Sequence, residues 1–255
     1  MKSLLTVKAP ASQHGFSLME MAVVLMILGT LMSGVLVAVS QTTENNRRTN
    51  ALVQLRQIEE ALYGFAQTYG RLPCPAIYTT VIIKKGKEDP QGGGNCTEPH
   101  GFVPVATLGF YGPTNDDGLL LDPWQNPVRY SVAEYDDNGD SIPDFTTDAG
   151  IIFASGNLAP DPDLLKVCDR DGCIGNVVAD TVPAIVYSMG ANWATYTSAD
   201  EQENADPATL LANYPISDDN EFVSTSYSEE NFDDQLIWLS PYVLFNKLIT
   251  AGKLP

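Results

Sequence analysis

Three groups of residues in this chain could do chemistry. The first is Glu20, the single acid among residues 1–40; the run Met21–Val39 behind it carries no charge over 19 residues. A carboxylate in such apolar surroundings costs at least ~2.5 kcal/mol on insertion scales and calls for a partner. The second group is Cys74, Cys96, Cys168 and Cys173, all C-terminal to the apolar run. An even cysteine count in a tethered domain points to disulfides and an oxidising compartment. Zinc is the competing reading, but the Cys168–Cys173 spacing is wider than a zinc knuckle's and His100 is the only histidine after His14. Of the connectivities open to four cysteines, sequence proximity selects Cys74–Cys96 and Cys168–Cys173. The third group is an oxygen-rich run: Asp136, Asn138, Asp140 and Asp144 stand at positions 1, 3, 5 and 9, with Asp148 at 13. Calcium takes about 6–8 oxygens at roughly 2.3–2.6 Å, so these five residues are expected to ligate it. The run departs from an EF-hand, with Ser141 at the sixth position and Thr147 at the twelfth. The competing reading is an acidic surface turn between Tyr135 and Phe145.

Catalytic patterns are absent. The sequence has no Gly-x-Ser-x-Gly elbow, P-loop or metalloprotease motif, and its carboxylates are too numerous to single out a working pair. His100, beside Cys96 and Pro99, reads as a loop residue. The chain is therefore expected not to be an enzyme and to require no cofactor, with calcium the one candidate ligand. Thirty-two acids against fourteen Lys and Arg give a net charge of -18, which excludes a phosphate-binding surface and hence nucleic acid as a partner.

The elements that position these residues follow from periodicity. At 1.5 Å per residue the uncharged run spans about 28 Å, close to a bilayer core of roughly 30 Å, and predicts a transmembrane helix. A secretory signal would have a shorter apolar region and no internal carboxylate. After Ser40 the residues Leu55, Ile58, Leu62, Phe65 and Tyr69 form one apolar helical stripe. One helix is thus expected from about Ser17 to Tyr69, ended by Gly70 and Pro73. Beyond Pro73, β-prone runs alternate with turn residues. Strands are expected at Ile77–Ile83, Val128–Val132, Gly150–Ala154, Ala184–Ser188 and Gln235–Leu239. A closing helix follows, with Ser240 as N-cap, Pro241 first and Gly252 as the stop.

Gly15-Phe16-Ser17-Leu18-Met19-Glu20 resembles the processing site of type IV prepilins and type II secretion pseudopilins. The resemblance implies that a membrane aspartyl peptidase cuts after Gly15 and methylates the new amino terminus at Phe16. It also implies that Glu20 pairs with the amino terminus of a neighbouring subunit. Physically this is coherent: a freed α-amino group, with a reference pKa near 8, is mostly cationic at neutral pH and neutralises Glu20 only in the polymer. Gly29, Ser33 and Gly34 allow close helix approach. Many type IV pilins have proline where this chain has Val37. The segment Asp122-Pro123-Trp124-Gln125-Asn126-Pro127 resembles one of the major pseudopilin, with Gln125 replacing a glycine, and Ser188-Met189-Gly190-Ala191 resembles a later Ser-Leu-Gly-Ala segment. Major pseudopilins bind calcium, but in a later loop than Asp136–Asp148.

The resemblance implies an α+β, pilin-like fold: a long N-terminal helix, half in the membrane and half amphipathic, packed on an antiparallel sheet with irregular loops. The expected divisions are a leader at 1–15, a transmembrane and polymerisation helix at 16–40, and a globular region at 41–255. The implied role is a structural subunit of a type II pseudopilus or a type IV pilus, with size and insertions favouring a minor one. The implied partners are prepilin peptidase, other pilin or pseudopilin subunits and the inner-membrane assembly platform. The implied location is the inner membrane, single-pass with a periplasmic C-terminal domain, then the filament. The counts of Lys2 and Lys8 before the helix and Arg47, Arg48 and Arg56 after it do not by themselves orient it. The alternative is a surface adhesin or calcium-binding domain on a pilin-type anchor.

Overall fold

Leu55, Ile58, Leu62 and Ala66 recur at helical spacing and are all buried, as the stripe requires. They lie on α1, Leu18–Tyr69. The computed structural model describes residues 15, 17–79, 81–148, 150–173, 175–193, 198–205, 220–228 and 231–255, without the side chains of 32–38 and 157. The residues up to Asn46 form one unit and Arg47–Pro255 another. In the first unit the described apolar side chains of α1, among them Leu25, Met26 and Leu31, are exposed. Among the described residues no helix is long and apolar enough to cross a membrane. The expected span Met21–Val39 includes residues 32–38, whose side chains lie outside the described residues.

Helix α1 ends where the sequence provides a stop. Gly70 adopts φ +73°, and its N–H still donates to the Ala66 carbonyl at 2.7 Å. That left-handed conformation favours glycine and closes the last turn. Tyr69, placed on the apolar stripe by its spacing, is instead 55% exposed, because the stripe turns away from the core after Ala66.

The core lies between this stripe and a four-stranded antiparallel sheet. Its strands are β1 (His100–Phe102), β2 (Arg129–Val132), β5 (Ala184–Ser188) and β7 (Gln235–Trp238), in the order β1-β2-β5-β7. Tyr130, Val132, Ile185 and Val186 of the sheet share one buried cluster with Leu55, Ile58 and Leu62 of α1. The closing helix α5, Pro241–Thr250, adds Leu244 and Leu248 to that cluster. Two hydrogen bonds tie the layers: the Tyr63 hydroxyl accepts the Ser240 N–H at 3.1 Å, and the Tyr130 hydroxyl donates to the Pro73 carbonyl at 3.0 Å. Ser240 starts α5 with Pro241 in its first turn, although its side chain makes no capping bond.

Other elements depart from expectation. Among the described residues of 77–83 there is no strand: Ala76 makes isolated bridges to Glu88 and Phe102, and Ile82–Lys84 is a single 3-10 turn with Ile82 and Ile83 exposed. Its β-branched residues lack a neighbouring strand to pair with. After the short α2, Val105–Leu108, the run expected as a strand at Gly150–Ala154 is helical: it opens α3, Gly150–Asn157. There Thr147 Oγ1 accepts the Gly150 N–H, and Ile151 and Ala154, three residues apart, are the buried pair. Short apolar runs do not separate helix from strand by period alone. A second sheet occupies the stretch without expected strands. It is formed by β3 (Leu165–Cys168), β4 (Val177–Val182) and β6 (Glu221–Val223), in the order β4-β3-β6. Its β3–β6 pair is parallel, so the fold is not purely antiparallel. Helix α4, Ala199–Asn204, precedes β6.

Two disulfides are present, Cys74–Cys96 and Cys168–Cys173, each with Cα atoms 5.4 Å apart. Beside the first lies a buried ion pair. Arg71 Nη1 and Nη2 donate to Glu88 Oε2 and Oε1 at 2.8 and 2.9 Å. The same carboxylate accepts the Cys74 and Gly92 N–H groups, both at 3.2 Å. Removing one member of such a pair leaves an uncompensated buried charge, at a cost of about 3–5 kcal/mol. Glu88→Ala is therefore expected to lower the unfolding free energy of the Arg47–Pro255 region by about that amount in denaturant titration, whereas Glu60→Ala, which removes the largely exposed member of a pair with Lys247, should change it by about 1 kcal/mol or less.

Candidate functional site

The start of α1 is built by two short polar side chains. Ser17 lies outside the helix, but its carbonyl accepts the Met21 N–H at 3.1 Å, which makes it the N-cap. Ser17 Oγ accepts the Glu20 N–H at 3.1 Å, and Glu20 Oε2 accepts the Ser17 N–H at 2.8 Å. This reciprocal arrangement is a capping box, encoded by Ser-x-x-Glu before an apolar run. Gly15 sits exposed two residues upstream, and a side chain at its position would meet nothing within 4 Å. Phe16, the expected first residue after cutting, lies outside the described residues.

A second site assembles from three distant stretches. Strand β5 ends at Ser188, and the turn after it places Gly190 at φ +59°. A Cβ on Gly190 would lie 2.3 Å from the Asp233 carboxylate, so the glycine leaves the space that this side chain fills. Asp233 Oδ2 accepts the Ala191 N–H at 2.6 Å. Helix α4 begins with Ser198, whose side chain accepts the Glu201 N–H and so places Glu201 in the first turn. Glu201 Oε1 accepts the Asn192 side-chain amide at 2.8 Å and the Asp233 N–H at 3.1 Å. Asp234 Oδ2 accepts the Asn204 amide at 2.7 Å, and Asn204 in turn grips both the N–H and the carbonyl of Val223. The result is that Glu201, Asp233 and Asp234 bring carboxylate oxygens within 4.8 Å of one another, all three residues buried. Glu201 is 1% exposed, and its Oε2 is buried without a hydrogen-bond partner.

Converging buried carboxylates repel one another. Burial pushes the Asp234 carboxyl well above the usual carboxylate range, Asp233 and Glu201 push it further, and the Asn204 amide and the Arg129 guanidinium oppose them. Such a cluster is relieved by protons or by a cation. All-oxygen donors suit a hard divalent ion of the calcium or magnesium type. The neighbouring Asp122-Pro123-Trp124-Gln125-Asn126-Pro127 turn supports this corner. Asp122 accepts the Trp124 and Asn126 N–H groups and the Ser188 hydroxyl, and the Asn126 amide reaches the Gly190 carbonyl.

The run expected to ligate calcium is arranged differently. Asp136 accepts the Gly139 and Ser141 N–H groups, Asn138 accepts that of Asp140, Asp140 that of Ile142, and Asp144 that of Asp137. Each of these oxygens accepts a turn amide, while Asp144 Oδ1 is buried without a hydrogen-bond partner. Asp148 stands apart, its Cβ 3.4 Å from where a Gly70 Cβ would lie at the end of α1. Among the described residues, Asp136, Asp140, Asp144 and Asp148 do not form a converging acidic group, and Glu201, Asp233 and Asp234 do. Burial raises the Asp144 carboxyl, with the Asp137 N–H opposing and Asp136, Asp137 and Asp140 adding to the rise.

Residues 10–36 match the model of the prokaryotic N-terminal methylation motif. The chain carries the type IV pilin and pseudopilin signal. No curated protein and no solved structure matches it. The pilin signal supports a pilin-like precursor in general, and implies processing by prepilin peptidase, assembly with other pilin subunits, and a membrane-anchored and then filamentous location. Within it, Gly15 precedes the helix and Glu20 closes the capping box. Sequence reasoning missed the Glu201, Asp233 and Asp234 group, since its members are 32 residues apart at the longest hydrogen-bonded step. The available hint was Asp233-Asp234 beside a β-prone run, together with the Ser188-Met189-Gly190-Ala191 turn.

His100, expected as a loop residue, instead sits on β1, where pairing with β2 holds it, with its ring 6.1 Å from that of Phe222 and its Nδ1 buried without a partner. Burial lowers its pKa to about 4, from an ordinary value of 6.5. The unfolded chain therefore takes up a proton between those values while the folded one stays neutral. Stability is complete above about pH 6.5 and is lost as pH falls toward 4, by roughly 2–3 kcal/mol over the window. His100→Gln is expected to flatten this part of the stability–pH profile relative to the parent, measured by urea unfolding between pH 4 and pH 7.

Proposed function

We propose that this chain is a minor structural subunit of a type II secretion pseudopilus or a type IV pilus. In this reading prepilin peptidase cuts between Gly15 and Phe16 and methylates Phe16. Helix residues 16–40 then hold the subunit in the inner membrane, with the Arg47–Pro255 domain on the periplasmic side, until the assembly platform feeds it into the filament. Glu20 neutralises the amino terminus of the neighbouring subunit there. The observation that carries the reading is the methylation motif at residues 10–36, with Gly15 just ahead of α1 and Glu20 in its first turn. Size and the second sheet support a minor subunit over a minimal filament repeat.

A second reading, compatible with the first, is that the periplasmic domain binds a divalent cation of the calcium class. The buried convergence of Glu201, Asp233 and Asp234 favours that location over Asp136–Asp148; a buried oxygen without a hydrogen-bond partner is found at both, Glu201 Oε2 and Asp144 Oδ1. The remaining coordination would come from carbonyls and water, and the ion would offset the mutual repulsion of the three carboxylates.

Both readings are open to direct measurement. N-terminal analysis of the membrane-extracted protein should give N-methylated Phe16, and the lost leader removes two lysines and no acid; a terminus near Ser40 would end the pilin reading. Millimolar calcium should raise the melting temperature of the periplasmic domain, with a stabilisation of about 2.7 kcal/mol at a hundredfold excess over Kd. Glu201→Gln with Asp233→Asn should abolish that rise, and Asp136→Ala with Asp140→Ala should leave it intact. No rise in the parent protein would remove the cation reading.

A further inference from the structure

We propose that the cleft at the C-terminal end of α1 is a binding site for a neutral oligosaccharide. The cleft measures about 710 Å³ and lies within the Arg47–Pro255 unit. Small-molecule sites usually fall in the range of roughly 300–1,000 Å³. One wall is aromatic. Tyr69 packs against Phe65 with ring centroids 4.4 Å apart; Phe65 is buried, and Tyr69 is not. The Tyr69 ring is thus supported from below and open above. The face of such a ring is electron-rich and attracts polarised C–H groups, which a pyranose presents along one side.

The polar lining is uncommitted. The Tyr69 hydroxyl and the side chains of Lys87, Gln91 and Asp148 make no hydrogen bond or ion pair with other described residues. Thr107 Oγ1 accepts the Glu88 N–H at 2.9 Å, which leaves its proton to donate. The set offers an ammonium, a carboxylate, a side-chain amide and two hydroxyls, donors and acceptors together. Arg71, deeper in the wall, is already held by Glu88. A phosphate would meet Lys87 opposed by Asp148, and an apolar ligand would desolvate these groups without pairing them. A ligand made of hydroxyls, each both donor and acceptor, fits them all. The facing rim, Gln91 to Gly94, is fixed in advance. The Cys74–Cys96 disulfide holds it, the Gly92 N–H donates to Glu88 Oε1, and the Gly94 N–H donates to the Thr146 carbonyl at 3.1 Å. A Cβ on Gly93 would collide with that carbonyl and with Arg71 Nη1, so glycine lets the rim close on the wall. A rim ordered beforehand loses little freedom on binding.

The test uses the full-length chain in a zwitterionic detergent that has no sugar headgroup. The probes are short, defined oligosaccharides of glucose, galactose, mannose and N-acetylglucosamine, screened on an array and then titrated by calorimetry. At least one should bind, with saturation transfer to its ring C–H protons. Tyr69→Ala should weaken that binding about tenfold, as loss of a central aromatic does, and Tyr69→Phe, which keeps the ring, should retain most of it. Gln91→Ala and Asp148→Ala should each cost about fivefold, the worth of one hydrogen bond. Tyr111→Ala, which removes an exposed tyrosine that does not line the cleft, should leave binding at the parent level. Tyr69→Leu preserves the cover over Phe65 and gives the same comparison should Tyr69→Ala unfold. No binding of any probe at millimolar concentration, parent-level binding in both Tyr69→Ala and Tyr69→Leu, or an equal loss in Tyr111→Ala would overturn the site. Preference for sulfated or sialylated oligosaccharides would overturn the ligand class. A dimer in sedimentation that Tyr69→Ala dissolves, with no sugar bound, would give the cleft to a second copy of the chain and overturn the proposal.

Discussion

An amphipathic helix in water must cover its apolar stripe, and the domain is organised around that need. Leu55, Ile58, Leu62 and Ala66 present one continuous face, and the four-stranded sheet and α5 supply the matching surface through Tyr130, Ile185, Val186, Leu244 and Leu248. Each large side chain buried there stabilises the fold by about 1.5–3 kcal/mol. The strand order follows from this. The central strands β2 and β5 are buried at every position, and both have neighbours on each side. The loops leave from the sheet's ends, free to build what the core does not dictate.

Electrostatics separate two acidic regions that look alike in composition. In the Asp136–Asp144 turn the carboxylates of Asp136, Asp140 and Asp144 each accept a backbone amide two to seven residues away, and Asp137 accepts the Tyr135 hydroxyl, so the loop satisfies most of its own oxygens, Asp144 Oδ1 excepted. Around Glu201 the acids come from different elements. Asp233 and Asp234 arrive from one side and α4 from the other, and nearby amides satisfy only some of their oxygens. A buried charge without full compensation is expensive. Spacing along the chain measures neither burial nor convergence, and so the denser acidic run is the one that does not gather.

The same contrast explains how far the sequence could be read. The limits of α1, the strands at Val128–Val132, Ala184–Ser188 and Gln235–Leu239, and the closing helix rest on period and on Gly or Pro stops, which are local properties. The capping box is equally local, needing only Ser17 and Glu20. Elements that depend on partners were not legible. Gly150–Ala154 and Ile77–Ile83 are apolar enough for either state, and the packing of Ile151 and Ala154, or the lack of a strand beside Ile82, decides between them. Strands β3, β4 and β6 are short and weakly patterned, and the parallel β3–β6 pair joins residues more than fifty positions apart.

Asn204 closes α4 and holds both backbone groups of Val223 at the other end of the intervening stretch. A single amide thus clasps the end of α4 to β6, and through its bond to Asp234 it ties both to the buried carboxylates beside them. This corner is accordingly a joint of polar contacts: one side chain fastens helix, strand and acidic group together, on a scaffold otherwise committed to covering its helix.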